Sequence, residues 1–219
     1  MKGLVAAVLL LLATWSGAGQ AQEPSPAKAE ADRRSAGRDD ALRRELLAMM
    51  EQDQAARRAM MQAIGEPGDR KSANDPSNRR VLDELKQVDD RNRARLRAIV
   101  EARGWPGKSL VGDDGAHAAW LIVQHADSDR AFQKACLRRM QSAPSGEVAP
   151  TDIAYLTDRV LVGEKKPQRY GTQLDGDLKP LPIEDETHVD DRRKAMGMPP
   201  LAEYLRFARE ATAKMRGKK

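Results

Sequence analysis

The chain has 219 residues, of which 38 are basic and 33 acidic, and a formal net charge of +5. Because the two signs are interspersed along the sequence, we do not expect the clustered basic surface of a nucleic-acid-binding protein. The single cysteine, Cys136, excludes an intramolecular disulfide, so the hydrophobic core alone must hold the fold. Aromatic residues make up only 4% of the chain, whereas Ala, Leu, Met, Arg and Glu are abundant, which favours helices.

The N-terminus has the pattern of a cleavable secretory signal peptide. Lys2 precedes an uncharged apolar run over residues 4–15, which is shorter than the roughly 20 apolar residues of a membrane-spanning helix. Small residues up to Ala21 allow cleavage. We therefore predict a signal peptide over residues 1–21, a flexible spacer over 22–39, and an exported protein, periplasmic or secreted, that is not inserted in the membrane. An uncleaved N-terminal anchor is the alternative.

Apolar residues recur at spacings of three and four through most of the remaining chain, as in amphipathic helices. Helices are predicted over residues 40–64, from 76 or 78 to 102, and over 116–126, 128–142, 151–163 and 187–196, with a last one after Pro199-Pro200. Residues 118–123 are apolar on every side, so the third helix is expected to be central and buried. Cys136 lies in the apolar pattern of the fourth helix, where an inert buried thiol is expected. The predicted fold class is mainly α, a single helical domain over residues 40–215 with six or seven helices.

The sequence changes character after the fifth predicted helix. Residues 168–183 contain two short extended segments on either side of Asp175-Gly176-Asp177, and Asp-Gly between such segments signals a hairpin. We predict one small β-hairpin here. Pro180 and Pro182 would confine its second strand to an edge.

Polar residues interrupt the apolar stripes of the first two predicted helices. Asp53 and Arg57 occupy stripe positions in the first helix, and Asp89 and Asn92 do so in the second. Burying such groups costs several kcal/mol unless they are paired or hydrogen-bonded. Ion pairs that tie the helices together and a functional site explain this pattern equally well.

The most apolar helix ends in a polar group formed by Gln124, His125 and Asp127. An imidazole titrates near neutral pH and is therefore suited to act as a general acid or base. Asp127, or a carboxylate of the first helix such as Asp53, would orient the ring. Helix capping and packing are the alternative role for His125 and Asp127.

Two further polar clusters follow along the chain. Asp158 and Arg159 lie on the short helix before the predicted hairpin. The first extended segment is densely polar and offers amide and hydroxyl groups to a polar ligand, on Gln168, Tyr170, Thr172 and Gln173. Edge strands are commonly polar, which is the alternative explanation. Gly171 within this segment allows another group to approach the backbone closely.

Familiar metal, nucleotide and hydrolase motifs are missing from the sequence. His117 and His125 are eight residues apart and His188 is remote, so a zinc site is not expected and no cofactor is predicted. A carboxylate site for a hard cation is the remaining metal alternative, with three candidate ligands, Asp53, Asp89 and Asp158.

Several short motifs occur together in a fixed order. They are Asp53 with Arg57, Gly104-Trp105-Pro106, Val111-Gly112, the run from Trp120 to Asp127, Leu156-Thr157-Asp158-Arg159, Gln168-Arg169-Tyr170-Gly171-Thr172-Gln173, and Val189-Asp190 with Arg192-Arg193, Gly197 and Tyr204. In this combination the chain resembles the DUF6624 family, a bacterial domain family of unknown function. The resemblance spans about residues 42–206 and is most specific in Gln-His-Ala-Asp and Tyr-Gly-Thr-Gln. It implies that the polar clusters belong to one unit, and it implies no activity.

We expect these clusters to converge on one polar cleft. His125, Asp127 and Asp53 would be catalytic there, in hydrolysis or group transfer on a cell-envelope substrate. The binding residues would be Arg57, Asp89, Asn92, Gln124, Asp158, Arg159, Gln168, Tyr170, Thr172 and Gln173. One alternative is a non-catalytic module that binds a polar small molecule, an envelope component or a partner protein. Another is a buried structural network. No nucleic-acid partner is expected, and the sequence leaves the oligomeric state open.

Overall fold

The computed structural model describes residues 37–64 and 75–216. The predicted signal peptide, residues 1–21, lies outside the described residues, as does the greater part of the predicted spacer, residues 22–36. Within the described part of the chain, no helix combines the length and the apolar character needed to cross a membrane.

Seven α-helices and two short 3₁₀ turns make up the regular structure of the described residues, which confirms the prediction of a mainly helical single domain. The α-helices are α1 (Asp40–Ile64), α2 (Arg79–Arg103), α3 (Lys108–Gln124), α4 (Arg130–Gln141), α5 (Pro150–Gly163), α6 (Val189–Ala195) and α7 (Leu201–Arg216), and the 3₁₀ turns are Pro76–Asn78 and Glu186–His188. Helix α3 begins earlier than the predicted residue 116, because a helical turn precedes a kink at Gly112. Gly112 has a φ of 75°, a conformation that glycine adopts without a steric penalty.

The core forms where α1 packs against both α2 and α3, and α4 packs against α5. Leu46 of α1 and Leu96 of α2 are fully buried, as their positions on the apolar stripes require. Every residue from 118 to 123 of α3 is at most 3% exposed, so the expected central, buried helix is confirmed. Cys136 is a free, fully buried thiol, and burial raises its pKa to about 12, which makes it inert.

The predicted β-hairpin over residues 168–183 is wrong. The chain does reverse at the Asp-Gly turn, where the Leu178 N–H donates to the Asp175 carbonyl at 3.1 Å. However, the only β-bridges between the two segments within the described chain are isolated ones, Gln168 with Ile183 and Leu174 with Pro180. Scattered hydrogen bonds also join the segments, such as that from the Leu181 N–H to the Gln173 carbonyl at 3.0 Å. No strand ladder forms between them.

The physical reason is that several backbone donors that a continuous ladder would need are either absent or bonded outside the two segments. Proline has no N–H, so Pro180 and Pro182 cannot donate to a ladder. On the other segment, the N–H groups of Arg169, Tyr170 and Thr172 donate to the carboxylate of Asp158 on α5, at 2.7, 3.1 and 3.0 Å. A buried carboxylate has therefore replaced a neighbouring strand as the acceptor.

Gly171 lies at the centre of this extended loop. Its φ is +70°, and a Cβ at this position would lie 2.8 Å from Cδ1 of Leu201, at the start of α7. The expected close approach to the backbone is therefore confirmed. The neighbour is a side chain of the last helix, which fixes the loop against α7.

Candidate functional site

His125 and Asp53 form the centre of the candidate site. His125 is the C-cap residue of α3, and Asp53 lies on the stripe of α1 that faces α3. The Nδ1 atom of His125 is 2.8 Å from Oδ1 and 2.9 Å from Oδ2 of Asp53. Asp53 is 1% exposed, whereas the imidazole side chain keeps 10% of its surface exposed. For Nε2 of His125, no hydrogen-bond partner exists among residues 37–64 and 75–216.

Arg57 lies one helical turn after Asp53 and connects it to α2. Its Nη2 atom is 3.2 Å from Oδ1 of Asp53 and 2.7 Å from Oδ1 of Asp89. Its Nε atom also lies 3.0 Å from Nδ1 of His125. Nδ1 cannot accept from Arg57 while it donates to Asp53, since it carries either a hydrogen or a lone pair. The two shorter contacts to a buried carboxylate assign the hydrogen to Nδ1.

The charges around this pair fix its protonation state. Burial lowers the pKa of His125, and the positive charges of Arg57 and Arg159 act in the same direction, whereas the hydrogen bond that His125 donates to Asp53 acts to raise it. Burial acts to raise the pKa of Asp53, but His125 and Arg57 outweigh it and hold that pKa below its ordinary value. At neutral pH the pair is therefore a neutral imidazole beside a carboxylate.

The pKa of Asp89 is shifted in the opposite direction to that of Asp53. Burial raises its pKa to about 6, the negative charges of Asp53 and Asp127 add to this, and Arg57 only partly compensates. Asp89 thus exchanges a proton just below neutral pH. The site combines an unprotonated imidazole with a carboxyl group of raised pKa, which is the usual arrangement of a base and an acid in one site.

Asp127 does not orient His125, although the sequence allowed that role. Its carboxylate pairs with Arg159 of α5, which donates from Nε to Oδ1 at 2.9 Å and from Nη2 to Oδ2. Arg159 is 6% exposed and also donates to Oε1 of Gln173 at 3.3 Å. The charge of Arg159 lowers the pKa of His125, and that of Asp127 raises the pKa of Asp89. The two clusters are therefore close enough for their charges to interact.

Several predicted site residues hold the fold instead of facing a ligand. Asn92 donates from Nδ2 to the Met49 carbonyl at 3.0 Å and ties α2 to α1. Asp158 is fully buried and accepts three backbone N–H groups and the Thr172 hydroxyl, the last at 2.9 Å. Its carboxylate is thus occupied by the loop. Burial raises its pKa against these hydrogen bonds.

Gln168 and Tyr170 complete the same loop network. The Gln168 side chain donates to the carbonyls of Gln173 and Leu181 at 2.9 and 2.8 Å and accepts the Gln173 N–H at 2.8 Å. Tyr170 takes part through its backbone, since its carbonyl accepts from Arg193. The polarity of Gln168 and Tyr170 is therefore explained by hydrogen bonds that hold the loop.

Gln124 differs from every other predicted site residue. It is 1% exposed, and neither Oε1 nor Nε2 of its side chain has a hydrogen-bond partner in the described part of the chain. Leaving buried polar groups unpaired costs about 1–3 kcal/mol for each group. The buried amide of Gln124 therefore has hydrogen-bonding capacity that the described residues do not use.

Three buried polar residues, Gln133, Asp152 and Arg193, were missed by the sequence reasoning. Gln133 is fully buried and donates to the Val123 carbonyl at 3.0 Å and to Asp127 at 3.3 Å. Arg193 is also fully buried and donates from Nε to the Pro199 carbonyl at 2.7 Å. Arg193 lay in a recognised motif, but Gln133 lies among charged residues and no local pattern distinguishes it.

No group of three or more His, Cys, Asp or Glu side chains is placed to hold a metal ion among the residues that the structure describes. The hard-cation alternative required the carboxylate of Asp158. That carboxylate instead accepts hydrogen bonds from the loop at residues 169–172.

The fold and the site define a single helical domain in which a buried carboxylate orients an imidazole. The sequence model of the family described as "Family of unknown function (DUF6624)" matches residues 40–216. This match covers more than half of the chain, and the chain belongs to that family. Searches of curated proteins and of solved structures gave no match.

Proposed function

We propose that this protein is an exported enzyme that catalyses hydrolysis or group transfer on a polar substrate of the cell envelope, with His125 as its general base. The observation that carries the proposal is the 2.8 Å contact between Nδ1 of His125 and Oδ1 of Asp53. With a hydrogen on Nδ1, the lone pair of Nε2 can accept a proton. The lowered pKa keeps the imidazole unprotonated at neutral pH, which is the state that a base requires.

In this proposal the proton moves along a short path. Nε2 of His125 takes the proton of an attacking water or hydroxyl group, and the carboxylate of Asp53 stabilises the imidazolium that forms. Asp89, with a pKa of about 6, returns a proton to the leaving group from its protonated form. Arg57 touches both carboxylates and holds them in position.

The cell-envelope location is proposed from the N-terminal sequence. Lys2, the uncharged run over residues 4–15 and the small residues up to Ala21 support export and cleavage. These residues lie outside the described part of the structure. Mass spectrometry of the protein recovered from the periplasm or the medium tests this directly, and an intact N-terminus on an intracellular product would contradict it.

The state of His125 can be tested without a substrate. Nitrogen-15 NMR of the full chain at neutral pH is expected to show a neutral His125 ring with its hydrogen on Nδ1, and a titration below the ordinary pKa of 6.5. A ring that carries its hydrogen on Nε2 at neutral pH would overturn the role of general base.

The reaction class can be tested with chromogenic substrates. The panel is p-nitrophenyl acetate, p-nitrophenyl phosphate and p-nitrophenyl N-acetylglucosaminide. We expect His125→Gln to reduce the observed rate by about 10²–10⁴-fold, the usual contribution of a general base. His188→Gln is the matched control, because Nδ1 of His188 is also 2.8 Å from an aspartate, Asp185, but its side chain is 62% exposed. Activity that survives in folded His125→Gln protein would contradict the proposal.

The unpaired side chain of Gln124 supports a second candidate, a module that binds a polar ligand beside His125 without chemistry. Ligand-induced thermal shifts in a screen of envelope metabolites separate the two. In a binding module, Gln124→Leu would abolish the shift while no turnover of the bound compound occurs. In the enzyme, the bound compound is consumed, and His125→Gln stops its consumption.

A further inference from the structure

A second site lies apart from the His125 cluster, beside the turn between α2 and α3. It is a cavity of about 410 Å³, which is within the range of small-molecule sites. Its walls come from the α2–α3 turn, one face of α3, and the first turns of α5 with the residues before it. The lining residues used below are Trp105, Lys108, Asp113, His117, Trp120 and Tyr155, with Asp152.

Three lining residues carry a nitrogen atom with no hydrogen-bond partner among the described residues. They are Nε1 of Trp105, Nε1 of Trp120 and Nε2 of His117, and all three are shielded from solvent. An indole N–H can only donate, so the two tryptophans lack acceptors. Buried donors in folded proteins are rarely left unpaired, and each such group needs a specific explanation.

The aromatic rings of this wall are packed against one another and are thus preorganised. The ring centroids of His117 and Trp120 are 4.8 Å apart, and those of Trp120 and Tyr155 are 6.1 Å apart in an edge-to-face arrangement. Tyr155 in turn packs on Tyr204 of α7 at 6.3 Å. A flat apolar body fits such a wall, because aromatic rings favour offset or edge contacts with other flat groups.

The charges of the cavity decide which acceptor it favours. The carboxylate of Asp152 is only 12% exposed, and its Oδ2 lies 3.7 Å from Nδ1 of His117. Lys108 at the rim is paired with Asp113 at 2.7 Å. Since one buried carboxylate remains in the wall beyond this pair, an anionic ligand is repelled relative to a neutral one of the same shape.

We propose that this cavity binds a small molecule with a flat apolar body and uncharged carbonyl oxygens, which accept hydrogen bonds from the indole N–H groups of Trp105 and Trp120. The two donors lie on different elements, the α2–α3 turn and α3. A ligand that bonds both joins these elements across the cavity. The site is independent of the proposed chemistry at His125.

The chain itself provides a specific readout for this proposal. It has three tryptophans, and Trp15 lies outside the described residues. In the full chain with Trp15→Phe, the only indole N–H signals in a ¹H–¹⁵N NMR spectrum are those of the two cavity residues. Trp105→Phe and Trp120→Phe assign them, because each variant keeps a ring and deletes one N–H.

Three probes of similar size separate the possible ligands. Acetophenone has a neutral acceptor, benzoate an anionic acceptor, and benzylamine a cationic donor. We expect acetophenone to shift both indole N–H signals with an affinity of about millimolar, as for a small fragment. Benzoate should shift them more weakly and benzylamine not at all. The proposal is overturned if benzylamine shifts the indole signals as much as acetophenone, or if no probe shifts them, as when buried water satisfies both donors.

Two variants complete the test. Trp105 is half-buried, so Trp105→Phe is expected to fold and to weaken acetophenone binding by about 10-fold, the loss of one hydrogen bond. Unchanged affinity in this variant would contradict the proposal. His125→Gln is expected to leave acetophenone binding unchanged, so a failure at His125 and a failure at this cavity give different results.

Discussion

Asp53 and His125 are 72 residues apart in the sequence, yet their side chains meet at 2.8 Å. The contact exists because α1 packs on α3, because Asp53 lies on the stripe of α1 that faces α3, and because His125 caps the C-terminus of α3. The pair is thus built into the principal helix–helix contact of the domain. Any change in how α1 lies on α3 alters the geometry of the proposed base.

Replacing Asp53 by asparagine should reverse the tautomer of His125. The amide group of Asp53→Asn can donate a hydrogen to Nδ1, which would move the ring hydrogen to Nε2 and remove the lone pair that accepts a proton. Nitrogen-15 NMR at neutral pH measures this directly. An unchanged tautomer in the variant would show that Asp53 does not orient the ring. Asp53→Ala should instead cost about 1–3 kcal/mol of stability, since Nδ1 of His125 loses its buried acceptor while Arg57 keeps Asp89.

Replacing Asp89 by asparagine should stabilise the protein at neutral pH. The unfolded chain ionises this carboxyl near 3.8, whereas its folded pKa is about 6. The folded state holds this proton more tightly, so the contribution of Asp89 to stability is greatest below pH 3.8 and falls as the pH rises to about 6. Asp89→Asn lacks this titration. Its unfolding free energy relative to the natural chain should rise by about 1–3 kcal/mol between pH 4 and pH 7.5, as measured by urea denaturation.

Asp90 provides the control for that experiment. A hydrogen bond from Lys86 lowers the pKa of Asp90, so its contribution to stability is complete above the ordinary pKa and is lost only at lower pH. Asp90→Asn should therefore show no such gain between pH 4 and pH 7.5. A gain of equal size in both variants would mean that net charge, and not the burial of Asp89, is the cause.

Replacing Asp158 by alanine should destabilise the extended loop strongly. Three backbone N–H groups and one hydroxyl lose their common acceptor. We expect a loss of about 3–5 kcal/mol in the free energy of unfolding, because the donors remain buried without a partner. Asp177→Ala in the exposed turn should change stability by less than about 0.5 kcal/mol. Similar losses in the two variants would contradict a structural role specific to Asp158.

Glycine at position 171 should be required for the same loop. Gly171→Ala combines a φ of +70° with a contact of 2.8 Å to Leu201, and should cost about 1–3 kcal/mol. Gly176→Ala is the matched control, since a Cβ there meets no atom within 4 Å. Thermal unfolding compares the two. A Gly171→Ala protein as stable as the Gly176→Ala protein would show that α7 moves aside to accept the methyl group.

The helices were predictable because their apolar residues repeat with the helical period, and the bounds of α1 follow from that pattern alone. The hairpin prediction failed for the opposite reason. The Asp-Gly pair is a local signal, and it correctly predicted a turn. However, the backbone N–H groups of Arg169, Tyr170 and Thr172 donate to Asp158 instead of to a second strand. That competition is a tertiary effect which neither segment records in its own sequence.

Part of the site was predictable, because a polar residue at an apolar stripe position of a helix is expected to be a buried polar side chain. This reasoning selected Asp53, Arg57 and Asp89 together with His125, and the structure brings them together. It could not decide which carboxylate faces the imidazole, because both Asp53 and Asp127 were available. The cavity beside Trp105 was not predicted at all, since missing hydrogen-bond partners are visible only once the chain is folded.

Trp120 lies on the buried stretch of α3 and His125 caps the C-terminus of that helix, about 7.5 Å further along the helix axis at the usual rise per residue. One ring lines the cavity and the other meets Asp53. Close packing on all sides makes this stretch behave as a stiff rod. A displacement of α3 along its axis therefore moves both rings by the same amount. Such a shift would change the geometry of the cavity and of the His125–Asp53 pair together.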